Sequence, residues 1–60
     1  MRRLKILRQK RKMTQKELAQ KAEISQSAIH YIEQGKKSPT IYTLSRLAEA
    51  LEVDLKDLVS

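Results

Sequence analysis

Three residues, Glu23 to Ser25, are all that lie between two stretches with helical signatures, and that interval narrows the possible folds more than any other feature of the chain. On its N-terminal side, Thr14 is followed three residues later by Glu17. This is the reciprocal pairing of a capping box, with Met13 and Leu18 spaced as the two ends of a hydrophobic staple. The spacing predicts a helix from Gln15 to about Ala22, with Leu18, Ala19 and Ala22 inward. On its C-terminal side the signal repeats. Ser25 caps, Ile24 and Ile29 stand at staple spacing, and a helix is predicted over Gln26 to Gln34, stopping at Gly35 in the left-handed position that suits glycine.

A turn of three residues forces the two helix axes to cross steeply, as in a helix-turn-helix unit. Ala19 is small enough to let the second helix of the pair approach the first closely. An ordinary helical hairpin is the plainer alternative, and the tight turn, the two staples and Ala19 together argue against it. The rest of the chain is also helical in pattern. Arg2 to Arg11 places Leu4 and Leu7 on one side. A fourth helix is predicted to begin near Thr40, with Ser38 as cap and Pro39 at the first position as the alternative start. Its inward residues are Ile41, Leu44, Leu47, Ala48 and Leu51. Val53-Asp54 opens a last short helix, Asp54 as its cap and Val53 within reach of Leu58. The expected fold class is all-α: five short helices in a single domain over residues 1–60.

A chain of 60 residues buries only about 60% of its unfolded surface, so the core is marginal. There is no cysteine, which removes disulfides and thiolate metal sites and fits a reducing, cytoplasmic setting. A single histidine, His30, cannot build a metal site by itself, and no cofactor motif is present. No apolar run exceeds two residues, so no segment reads as a membrane span or a signal peptide. One Gly and one Pro leave no flexible linker. An enzyme is disfavoured, since the chain has no nucleophile–base pair, no paired carboxylates outside helix caps and no Gly-rich loop. A membrane-surface role for the basic first helix competes with the need for Leu4 and Leu7 in the core.

Charge points to a polyanion. Residues 1–37 carry eleven Lys and Arg against three acids, a balance of +8, while residues 38–60 carry a balance of −2. Within this basic half the third helix is nearly neutral on its outward side. Gln26, Ser27, His30 and Tyr31 come before any formal charge at Glu33. In a helix-turn-helix the second helix enters the major groove of DNA with its N-terminal residues against base edges. Gln can pair with the N6/N7 edge of adenine and Ser can serve either partner, whereas acids there would repel phosphates. Gln26 is the expected principal base reader, with Ser27 and Tyr31 beside it and Ala28 small enough to meet a thymine methyl. The bland reading of Gln26 is a helix-favouring residue in a first turn. His30 is expected beside the groove or in solvent.

Phosphate contacts set affinity and register. Gln15 opens the second helix, where free backbone N–H groups attract an anion. Lys36, Lys37 and Ser38 follow the third helix, and Thr40 starts the fourth. Lys10 belongs with Arg2, Arg3, Arg11 and Lys12 to a looser basic group, for which a solvated surface competes with contact.

The pieces "LR" at Leu7-Arg8, "TQKELA" at Thr14 to Ala19, "ISQSAI" at Ile24 to Ile29, "IEQG" at Ile32 to Gly35 and "LAEAL" at Leu47 to Leu51 resemble the phage-repressor and Cro type of helix-turn-helix, also called the xenobiotic-response-element family. The resemblance covers about Leu4 to Leu58. It implies a lambda-repressor-like DNA-binding domain of bacterial or phage origin, binding a palindromic double-stranded operator as a homodimer, most simply as a repressor. It also implies an ion pair between Arg8 and Glu33, a phosphate contact at Gln15, and base-reading positions at Gln26, Ser27 and Tyr31. A dimer would use Leu55, Leu58 and Val59 of the fifth helix, unless these close the core. The alternative within the same fold is a protein-interaction module such as an antitoxin. Where the family often has Gly, this chain has Lys12, Glu23 and Glu52. A left-handed backbone at any of them carries a penalty of about 1 kcal/mol.

Overall fold

The computed structural model describes residues 1–59, and these form five helices and no strand. They are α1 (Arg2–Lys10), α2 (Gln15–Ala22), α3 (Gln26–Glu33), α4 (Ile41–Leu51) and α5 (Leu55–Val59). The local signals place the boundaries. Thr14 accepts a hydrogen bond from the Glu17 backbone N–H at 3.0 Å while Glu17 Oε1 accepts from the Thr14 N–H at 2.8 Å, which completes the capping box. Ser25 accepts from the Ala28 N–H at 3.1 Å and starts α3. Thr40, rather than Ser38, caps α4 by accepting from the Thr43 N–H at 3.1 Å.

The first four helices end in one way. In each, a left-handed residue follows the last turn, and the next residue donates its N–H to the carbonyl five positions back along the helix. Met13 donates to Arg8, Ile24 to Ala19, Lys36 to Tyr31 and Val53 to Ala48, all at 2.9–3.1 Å. The left-handed residues are Lys12 (φ 56°), Glu23 (φ 60°), Gly35 (φ 75°) and Glu52 (φ 58°). Only one of the four is glycine. Met13, Ile24 and Val53 each pack partly buried against the core, so one apolar residue closes the helix before it and sits just ahead of the helix after it.

Three non-glycine residues therefore hold strained backbone, and the cost is not the same at each. Glu23 pairs its carboxylate with Arg46 of α4, whose Nε also donates to the Ala22 carbonyl at 2.9 Å. Arg46 thereby ties the turn between α2 and α3 to α4, and it stacks over the Tyr42 ring at 5.3 Å from the centroid. Arg11 reaches the Glu52 carbonyl at 3.1 Å. Lys12 has no side-chain partner among the described residues. Lys12→Gly is accordingly expected to stabilise by about 1 kcal/mol, a rise of about 4–8 °C in a domain this small, read from thermal melts. Glu23→Gly relieves the same strain but loses an exposed ion pair worth about 0.2–1 kcal/mol, so its gain is smaller.

The core is made of Leu4 and Leu7 of α1, Leu18, Ala19 and Ala22 of α2, Ile29 and Ile32 of α3, Leu47, Ala48, Ala50 and Leu51 of α4, and Leu58 of α5. α2 packs on α3 and α4, α1 packs on α3 and α5, and α4 packs on α5. Two expectations need correction. Ile41 is 66% exposed, not inward. It belongs to the same stripe as Leu44 and Ala48, but it stands in the first turn of α4, where no other helix faces it. Leu58 is fully buried. It closes the core, so of the apolar residues of α5 only half-buried Leu55 and exposed Val59 reach the surface. Among the described residues no helix is long and apolar enough to cross a membrane.

Candidate nucleic-acid interface

The short α2–α3 turn leaves the outward side of α3 uncovered beside the first turn of α2. Side chains at positions 26, 27, 30 and 31 fall on one face because they recur at three- and four-residue spacing. With Gln15 they line a recess of about 270 Å³. Gln26, Ser27, His30 and Tyr31 are exposed, and no Lys, Arg, Asp or Glu lines the recess. Tyr31 is held edge-on to the His30 imidazole, centroids 5.4 Å apart at 64°. The recess therefore displays amides, hydroxyls and an imidazole, groups that can both donate and accept.

His30 is the lining residue that sequence reasoning set aside. Its spacing from Gln26 and Ser27, four and three residues, was the available signal. Ala28 falls elsewhere. It lines a second recess of about 330 Å³ with Ile24, Ser25, Ile32, Lys37, Ser38, Pro39, Thr40 and Thr43. Lys37, Ser38 and Thr40 are thus brought together, on the other side of α3 from the Gln26 recess. The Thr40 hydroxyl is already used as the α4 cap, so the free donors there are backbone N–H groups of the first turn. Lys36 is exposed next to this loop, and Lys10, at the last position of α1, lines neither recess.

Behind the first recess lies a buried ion pair. Arg8 Nε donates to Glu33 Oε2 at 2.6 Å and Nη2 donates to Oε1 at 3.1 Å, a two-pronged arrangement. Arg8 Nη1 also donates to the Met13 carbonyl at 2.8 Å, and Gln15 Nε2 donates to Glu33 Oε1 at 3.1 Å. The two side chains are 11% and 3% exposed. The pair joins the end of α3 to α1 and to the start of α2.

Burial by itself pushes the Glu33 carboxyl upward. Hydrogen bonds from Arg8 and Gln15, with the charges of Arg8 and Lys5, more than offset this and hold it below its ordinary value of 4.5. A carboxyl depressed in the folded state stabilises fully above the unfolded value and loses that contribution as pH falls through the folded one. The Glu33 contribution is thus expected to be full and independent of pH near neutrality and to decline below about pH 4.5, so that stability falls more gently with acid in Glu33→Gln, as acid titration followed by circular dichroism will show.

The comparisons with known proteins agree with this arrangement. The helix-turn-helix family profile matches residues 4–58. The chain is 39% identical over 57 residues to an immunity repressor protein of Bacillus phage phi105, covering 95% of this chain but 40% of that protein. It is 37% identical over 54 residues to an uncharacterized HTH-type transcriptional regulator of Sinorhizobium fredii, covering 90% of this chain and 70% of that one. The crystal structure of the restriction-modification controller protein C.AhdI from Aeromonas hydrophila superimposes with a TM-score of 0.93 at 26% identity, over 95% of this chain and 86% of the other. With its capped α2–α3 pair, its uncovered third helix and a family match along nearly its whole length, the chain belongs to the phage-repressor and Cro type of helix-turn-helix family, a class of DNA-binding transcriptional regulators.

Proposed function

We propose that the chain binds double-stranded DNA sequence-specifically by laying α3 in the major groove, and that it acts as a transcriptional repressor in the cytoplasm of a bacterium or phage host. The observation that carries this reading is the uncharged recess of Gln15, Gln26, Ser27, His30 and Tyr31 in a chain of net charge +6. A surface with no fixed charge but many hydrogen-bonding groups suits base edges, while the surrounding cations suit phosphates. Gln26, Ser27 and Tyr31 read bases. Gln15 and the second recess, with Lys37, Ser38 and the N-terminus of α4, grip the backbone on either side, and Lys36 and Lys10 add charge nearby.

A palindromic operator bound by a homodimer follows from the same reading. The surface available for self-association on α5 is Val59 with the outer side of Leu55, because Leu58 is committed to the core. The similarity to a phage immunity repressor favours repression.

Selection of bound sequences from random DNA tests the assignment. Gln26→Ala is expected to relax preference at one base position by about 1–3 kcal/mol, whereas Lys37→Ala weakens every sequence alike. Binding should fall with salt at a log–log slope of about −0.9 per phosphate neutralised. Equal losses for both variants on every sequence would refute the division between readers and anchors. Tight binding to a protein that persists at high salt, without enrichment of any duplex, would instead point to the interaction-module alternative.

A further inference from the structure

The Gln15 amide is held from behind, and its orientation is therefore determined. A carboxylate only accepts hydrogen bonds, so the end of the amide that faces Glu33 must be its nitrogen. Turning the amide over would set the Gln15 carbonyl oxygen against Glu33 Oε1, two acceptors at hydrogen-bonding distance. Glu33 is itself immobilised by the two-pronged contact with Arg8, whose third donor is fixed on the Met13 carbonyl. One Gln15 N–H is thus committed inward at 3.1 Å. What Gln15 offers the recess it shares with Gln26, Ser27, His30 and Tyr31 is then a fixed set, one N–H and one carbonyl oxygen. An unrestrained glutamine at a helix start would present either end.

We propose that Glu33 is a positioning residue for DNA recognition: its carboxylate, clamped by Arg8, fixes the Gln15 amide nitrogen-inward, so the donor–acceptor pattern at the edge of the reading surface is set before DNA arrives. The proposal rests on the reading of that recess as the DNA surface. Its physical content is pre-organisation. A side chain already locked in its bound orientation loses less freedom on binding. The ion pair that joins α1 to α3 therefore has a second role at the surface, transmitted through one hydrogen bond.

The test is a double-mutant cycle on the whole chain, with affinity measured for the duplex that the wild-type protein selects from random DNA. Gln15→Ala is combined with Arg8→Met/Glu33→Leu, which removes the ion pair but keeps apolar volume, and separately with Glu33→Gln, which can turn its own nitrogen toward Gln15. In the wild-type background Gln15→Ala weakens binding. In either altered background the same change is expected to cost at least about threefold less, because the amide orientation is already lost. Strictly additive losses in variants that melt cooperatively would make Glu33 purely structural and overturn the proposal. Independently of any variant, the wild-type protein should show a through-hydrogen-bond NMR coupling between Gln15 Nε2 and the Glu33 carboxyl carbon. Its absence would also overturn it. Failure to enrich any duplex sinks the DNA reading itself, and is told apart from the other failures because the NMR coupling persists.

Discussion

Glu33→Ala is expected to remove a large part of the domain's stability. The carboxylate is 3% exposed, accepts three side-chain hydrogen bonds and neutralises a guanidinium that is itself 11% exposed. Removing it strands Arg8 in a dry site, which costs about 3–5 kcal/mol. A domain of 60 residues has only about 3–9 kcal/mol to lose. Arg8→Ala is expected to do comparable damage, because it strands Glu33 and frees the Met13 carbonyl at the close of α1. The double replacement Arg8→Met/Glu33→Leu separates the charge penalty from the packing. It should recover most of the loss, since well-packed apolar side chains often match or exceed a buried pair in stability. Urea titrations of the three variants check this. A double variant no more stable than either single one would mean that the hydrogen bonds to Met13 and Gln15, not the stranded charge, dominate.

The second large effect lies in α5. Leu58→Ala is expected to destabilise by about 2–5 kcal/mol, the cost of a cavity where a fully buried leucine stood. Val59, one residue on, is 55% exposed, and Val59→Ser should leave the stability within about 0.5 kcal/mol of the wild type. If α5 carries a self-association surface, Val59→Ser lowers the dimer fraction in sedimentation while Leu58→Ala lowers stability at every concentration. A Leu58→Ala protein as stable as wild type would overturn the placement of Leu58 in the core.

The helix boundaries were legible because their causes are local. Thr14 and Glu17 bond each other across three residues, Ser25 and Thr40 bond N–H groups three residues ahead, and Gly35 takes the left-handed position at its own helix end. The uncharged side of α3 was equally visible, since it depends only on the helical repeat. The same repeat failed at Ile41, because periodicity identifies a stripe without saying what stands opposite it. Ala28 was placed among the base readers on the ground of its size, yet its position on α3 turns it toward the loop before α4. His30 was set aside although it shares a recess with Gln26.

By itself the amino-acid order determined five helices, the caps of α2, α3 and α4, the short α2–α3 turn and an outward side of α3 without charge, because each depends on atoms a few residues apart. Only the packing of the helices decided which contacts span the chain. Arg8 and Glu33 are 25 positions apart, and Arg46 reaches back 24 to the Ala22 carbonyl. Such pairs depend on helix crossing angles that no local pattern encodes. Burial then gave those contacts their weight: the same Glu and Arg on an open surface would contribute little, and inside the fold they hold it together and aim Gln15.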